Sequence, residues 1–224
     1  FTPGQLVTVD LVCHGVPSAA LFEEYLGWME EKAGAEVAVY ASRDKTRSGW
    51  SCLGSVVFDG AEAQALRADD PYVMIFGQGA AFRPSCYQCA YAGSVRAGDV
   101  TLGDFWGAER FDFGFDTSLG LSIVLASTSV GRELVASCEG RSQTVEVTFE
   151  DAAWGNRNLV APSVEPQVRA ELAKAYAAEG FSAVAKVAKR VFRRKAMGNR
   201  AKQMMPVGLK RFLKRMIGRA AGHA

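Results

Sequence analysis

The sequence predicts an α/β fold: a mixed sheet with flanking helices and a helical basic C-terminal tail. Three observations carry this. Short strand-like apolar runs alternate with segments whose apolar residues recur at three- and four-residue steps. Beyond Trp154 the strand-like runs stop and only the helical period remains. The composition, 49% hydrophobic and 22% charged over 224 residues, supports a sizeable core and excludes a disordered chain. The reading divides the chain into a body, residues 1–162, and a helical basic tail, residues 163–224.

Each element has its own signal. Residues 6–12 are apolar except Thr8 and Asp10, and read as a buried strand ending at Cys13. His14-Gly15-Val16-Pro17 is then a loop, and Ser18 can cap a helix with Leu21, Phe22, Tyr25, Leu26 and Met29 on its apolar face. A loop at the C-terminal end of such a strand is where open α/β sheets hold ligands. Residues 36–41 and 51–58 read as strands, with a basic loop over residues 43–49 between them. Residues 72–82 fit a helix despite Gly77 and Gly79. Strands are expected over residues 100–102, 121–126 and 144–149, a surface loop over 110–120 and a short helix over 132–138. Helices follow over 167–178 and 182–195, broken at Gly180, and Pro206 can open a last one reaching Arg219.

The chemistry-bearing residues are cysteines. Cys86 and Cys89 form a Cys-x-x-Cys pair, a spacing that serves zinc, an iron–sulfur cluster or a redox disulfide. Cys13 closes the first strand. Cys52 and Cys138 read as core residues, on the burial habits of cysteine. An odd count of five cysteines does not suggest a disulfide framework and points to a reducing cytoplasm. No Gly-rich phosphate loop of the dinucleotide pattern is visible, and no Ser-His-Asp order. No apolar run reaches the roughly 20 residues of a membrane span.

Three blocks make the pattern specific. They are Cys13-His14-Gly15-Val16-Pro17-Ser18, then Arg83-Pro84-Ser85-Cys86-Tyr87-Gln88-Cys89, then Gly98-Asp99-Val100-Thr101-Leu102-Gly103-Asp104-Phe105-Trp106-Gly107. Together, with Ser42-Arg43-Asp44-Lys45 and Gly49-Trp50 between them, they resemble the C-terminal domain of the coenzyme F420 hydrogenase/dehydrogenase beta-subunit family. The resemblance runs from about residue 6 to residue 162.

The resemblance implies iron–sulfur-binding loops, with Cys13, Cys86 and Cys89 as ligands of a 4Fe-4S cluster. It implies FAD as a second cofactor and coenzyme F420 as a candidate substrate. The activity it implies is a flavin iron–sulfur oxidoreductase, relaying electrons between a deazaflavin or other donor, FAD and the cluster. The expected partner is an electron donor or acceptor protein such as ferredoxin. In that family a Gly-Thr-Pro-Cys-Gln block lies upstream and offers the fourth ligand. With no initiator Met and no signal peptide, Phe1 reads as a cut end, with the N-terminal half of the family missing. His14 and Gly15 flank a ligand, and Arg43, Lys45, Arg83 and Arg96 are basic residues in loops. Those six are the candidate cofactor-binding positions: the guanidinium and ammonium groups suit phosphate and carboxylate, and His14 can donate a hydrogen bond to sulfur or tune a cofactor. No catalytic residue is identified. Asp104-Phe105-Trp106-Gly107 either packs beside a cofactor or forms ordinary aromatic core. The alternative reading is a non-catalytic zinc-binding or interaction module.

Charge is segregated. From Lys186 onward the sequence has 13 Lys and Arg and no acid, out of totals of 26 basic and 24 acidic residues. Residues 1–185 therefore carry a net −11 against +13 for the rest. The segment over 206–219 reads as a basic amphipathic helix, for contact with an acidic partner, an anionic membrane face or the acidic body itself. Nucleic acid is disfavoured, since the tail offers few aromatics to stack on bases. The expected location is cytoplasmic, with peripheral membrane contact through the tail.

Overall fold

The computed structural model describes residues 6–205 and Leu209. In chain order the elements are β1 (Val9–Leu11), α1 (Ala19–Ala33), β2 (Val37–Ala41), α2 (Lys45–Ser48), β3 (Ser55–Phe58), β4 (Gln64–Ala65) and α3 (Pro71–Gly77). After a 3-10 turn over Pro84–Gln88 come β5 (Val100–Asp104), β6 (Ser122–Ala126), α4 (Ser129–Ala136), α5 (Phe149–Trp154), α6 (Val168–Val191) and α7 (Arg193–Met204). The fold is α/β, with one mixed three-stranded sheet and a helical C-terminal region. The expected helix over residues 206–219 lies outside the described residues, Leu209 excepted. The chain divides into two compact units, each drawn from separated stretches.

The first unit takes the described residues up to His14 and then Gln88–Ser163. Its sheet has the order β1-β5-β6, with β1 parallel and β6 antiparallel to β5. Central β5 is the buried strand, with Val100 and Thr101 at 3% and 0% exposure. The expectation of a buried first strand is corrected. β1 is short and lies at the sheet edge, and Val9 and Leu11 are 52% and 65% exposed. An edge strand pairs on one side only, so an apolar run there is not thereby covered.

Thr128 caps α4 by accepting from the Gly131 N–H, and Thr148 caps α5 by accepting from the Asp151 N–H. The strand expected over residues 144–149 does not form. Residues 143–148 are irregular, with Val145 54% exposed, and Phe149 already opens α5. Alternation selects an extended backbone, but a strand also needs a ladder partner, and the described residues supply none.

The second unit takes Gly15–Tyr87 and the described residues from Val164 onward. An antiparallel β2-β3-β4 sheet accompanies α1, α3, α6 and α7. The core is aromatic: Tyr25 is fully buried, stacks on Tyr72 at 4.6 Å and meets Phe181 at 5.2 Å. Burying each such ring stabilises the unit by about 1.5–3 kcal/mol. The hydroxyl of Tyr25 lies near Asp70 and Tyr40 without meeting hydrogen-bond geometry to either. Burial raises its pKa and keeps it neutral.

Ser18 caps α1 as expected, accepting from the Leu21 N–H at 3.2 Å. The loop expected over residues 43–49 contains α2, because the Asp44 carboxylate accepts from the N–H groups of Thr46 and Arg47 and nucleates a turn. The strand expected from residue 51 begins at Ser55. The helix expected over 72–82 is α3, which ends at Gly77, before Gly79 turns at φ 64°. The break at Gly180 is present as a kink inside α6.

Candidate functional site

In the first unit Cys13 follows β1 and is exposed. The preceding Val12 N–H still donates to the Leu102 carbonyl at 2.8 Å, so the strand ladder delivers Cys13 to the sheet end. His14 is also exposed, and its carbonyl accepts from the Ser163 hydroxyl at 2.6 Å. Partial desolvation lowers the His14 pKa from its ordinary 6.5.

Arg96 belongs to the same unit and is almost buried, with 4% of its side chain exposed. Its guanidinium donates to Asp10 Oδ2 at 2.9 Å, to the Leu11 carbonyl at 3.1 Å and to the Tyr91 carbonyl at 2.7 Å. Nε reaches Thr101 Oγ1 at 3.3 Å. This fork clamps the loop carrying Cys89 to β1 and β5. Cys89 itself is half-buried, and its carbonyl accepts from the Ala92 N–H at 3.2 Å.

The Asp104-Phe105-Trp106-Gly107 block forms an aromatic corner. Phe105 is 4% exposed and meets Phe111 at 5.6 Å, and Phe111 and Phe113 continue the row to Phe115. Gly107 turns at φ 94° under the Trp154 ring, on whose face the Arg110 guanidinium sits at 4.3 Å.

In the second unit the two motif blocks are sewn together by backbone. Pro17 bridges to Phe82, the Arg83 N–H donates to the Val16 carbonyl at 2.9 Å, and the Val16 N–H points at Cys86 Sγ at 3.4 Å. Gly15 makes this approach feasible. It sits at φ 141°, and a Cβ there would overlap the Phe82 ring. Cys86 is half-buried in the 3-10 turn, and its own N–H donates to the Arg83 carbonyl at 2.9 Å. Arg83 is exposed. Lys45 is exposed in the first turn of α2, and Arg43 donates from Nε to the Ser51 carbonyl at 3.0 Å.

Sequence reasoning missed Arg169. It donates to the Phe82 carbonyl at 3.3 Å and lies over the Tyr87 ring at 5.2 Å, bracing the cysteine turn from α6. The two partners are 87 residues apart in the case of Phe82, so no local signal could have found it. The expectation that Cys52 and Cys138 are core residues is corrected: both are exposed. Cys52 lies in the loop before β3 and Cys138 beyond the end of α4, so neither is on a packed face.

No disulfide joins any of the five cysteines. The donor set formed by Cys13, Cys86 and Cys89 suits a soft metal site by chemistry: three reduced sulfurs on loops, one met by a backbone N–H. Among the described residues no three His, Cys, Asp or Glu side chains gather into a group that could hold a metal ion. The fit is therefore one of ligand type and not of assembled geometry.

The structure by itself defines a chain of two α/β units whose five cysteines are all free thiols. The chain belongs to the coenzyme F420 hydrogenase/dehydrogenase family, at the C terminus of its beta subunit: the family model for that region matches residues 2–151, well over half of the 224 residues. Neither a curated protein nor a solved structure matches it significantly. The family is one of oxidoreductase subunits. Among the described residues no helix is long and apolar enough to cross a membrane.

Proposed function

We propose that this chain is the cluster-carrying part of an F420-type flavin iron–sulfur oxidoreductase. In this reading Cys13, Cys86 and Cys89 ligate a 4Fe-4S cluster, and one ligand comes from outside the triad. The observation that carries the reading is the backbone seam between Gly15-Val16-Pro17 and Phe82–Cys86, with the Val16 N–H on Cys86 Sγ. Such N–H···S contacts are one of the means by which proteins tune cluster potentials. The seam also joins Gly15–Pro17 of the first block to Phe82–Cys86 of the second, although Val16 and Cys86 are 70 residues apart.

When bound, FAD would accept or deliver a hydride with its electron pair, and the cluster would carry those electrons singly. The chain's own residues position and screen. Gly15 admits the Phe82 ring beside the turn, and Arg169 braces the Phe82 carbonyl. Lys45 and Arg83 are the exposed cations of the candidate set and suit the phosphates of a dinucleotide or the carboxylates of a deazaflavin tail. His14 follows the Cys13 ligand in sequence and could offer a hydrogen bond to a ligand sulfur. The electron partner is a ferredoxin-like protein or another subunit. A reducing, cytoplasmic compartment goes with this reading, because only reduced thiols ligate.

The test is anaerobic reconstitution with iron and sulfide, read by visible absorption and metal analysis. The chain should turn brown, Cys13→Ser, Cys86→Ser and Cys89→Ser should each lose most of the colour, and Cys52→Ser and Cys138→Ser should keep it. Zinc bound in place of iron, without sulfide, would replace this reading with the zinc module. Full colour in both Cys86→Ser and Cys89→Ser would refute the ligand assignment.

A further inference from the structure

The outer face of α7 has no counterpart in the cofactor chemistry. The helix Arg193–Met204 contains no acid and is seated on the second unit by amide side chains rather than by an apolar stripe. Gln203 donates to the Leu66 carbonyl at 3.0 Å and accepts from the Ala68 N–H at 2.9 Å. Asn199 reaches Met74 Sδ at 3.5 Å. Ala196, Asn199 and Gln203, at steps of three and four, thus mark the inward side.

The helical period turns Arg194, Met197, Ala201 and Met204 away from those contacts, with Met197 also edging a groove lined by Met74, Arg193 and Arg200. Met197 and Met204 are 65% and 79% exposed. Two basic rows flank them, each with a seven-residue step: Arg193 with Arg200, and Lys195 with Lys202. Arg200 lies 3.9 Å from Asp69, and Lys195 donates to Gln78. Arg193, Arg194 and Lys202 have no ion pair with a described residue, and all three are exposed. Lys189, at the end of α6, extends the cationic surface, while the neighbouring Arg190 is paired with Glu171.

We propose that this face of α7 docks flat on an anionic lipid surface. Basic rows beside two exposed methionines offer a bilayer cations for its headgroups and flexible apolar chains between them. Methionine suits that position, being unbranched and soft. The helix offers no aromatic ring of the kind that anchors protein interfaces or stacks on bases. Because the amide contacts fasten the helix lengthwise to its unit, it offers its side and not its end.

Co-sedimentation of the full chain with vesicles tests this. Phosphatidylcholine vesicles containing phosphatidylserine should pull the chain down at low salt and release it at high salt. Pure phosphatidylcholine vesicles should leave it in solution. The triple variant Arg193→Ala, Arg194→Ala, Lys202→Ala should partition on the order of a hundredfold less, at roughly fivefold per removed charge. Met197→Ser with Met204→Ser should weaken binding while keeping its salt dependence. Circular dichroism confirms that each variant is folded, since none of these side chains is buried. Equal binding of the triple variant and the parent overturns the assignment to α7. Equal binding to neutral and anionic vesicles, or none to either, overturns the lipid proposal. Retention on immobilised polyglutamate without vesicle binding replaces it with an acidic protein partner.

Discussion

Asp99 ties three segments of the first unit with one carboxylate. It accepts from the Thr8 N–H at 2.8 Å, from Thr8 Oγ1 at 2.7 Å and from Thr128 Oγ1 at 2.7 Å. These donors, the Thr128 hydroxyl first, lower its pKa from 3.8 to about 2. A carboxyl depressed on folding adds stability above its unfolded value and loses it as pH falls through the folded one. The contribution is therefore present above pH 3.8 and lost towards about 2. Asp99→Asn should lower stability at neutral pH and flatten the pH dependence of unfolding across that window, followed by circular dichroism. An unchanged acid limb would show that the carboxylate is not what the hydroxyls hold. Other residues show how far single positions can be read. Ser18 was legible as a cap because its partner is three residues away. Arg96 was legible only as a basic residue beside the motif. Its burial depends on Asp10, 86 residues distant, so its place as a clamp emerges with the fold.

Helix α6 shows what an element owes to another element. Gly180 sits at φ 61° and ψ −152°, a region essentially reserved for glycine. The Glu24 carboxylate of α1 fills the break, accepting from the Phe181 N–H at 2.9 Å and from the Tyr176 hydroxyl at 2.7 Å. A Cβ on Gly180 would come within 2.6 Å of Glu24 Oε2. Gly180→Ala should cost about 1–3 kcal/mol in urea unfolding, while Glu179→Ala, at ordinary negative φ, should change it by under about 0.5 kcal/mol. Similar values for the two would mean that the kink is not constrained. The break was legible because glycine interrupts the helical period. The strand expected over residues 144–149 was misread because pairing is a property of two segments. The apolar residues of β1 were misread as buried because strand position within a sheet is not written in the strand. The motif blocks, in contrast, were legible as a set, and the backbone seam explains the pairing of the first two.

At the scale of the whole chain the dominant feature is electrostatic. A net charge of +2 combines a body of −11 with a segment of +13 from Lys186 onward. The sequence isoelectric point is about 8.3. Segregated charge of this size lets each sign act on its own surroundings over about a Debye length, near 10 Å at 0.1 M salt. At pH 8.3 and low salt the chain should still be retained by a cation exchanger and elute well before 1 M salt. Passage straight through would mean that the two charged regions neutralise each other.

The discontinuity of the two units also sets a schedule. Glu24 and its partner Phe181 are 157 residues apart, so α1 leaves the ribosome long before the helix that covers it. At roughly 5–20 residues per second, the apolar face of α1 waits on the order of ten seconds or more for α6. The first unit has the same difficulty, because β1 must wait for β5 across Gly15–Tyr87. The first unit cannot close until Gly15–Tyr87 has been made, and the second cannot close until Gln88–Ser163 has, so during synthesis the nascent chain carries two unfinished cores at once.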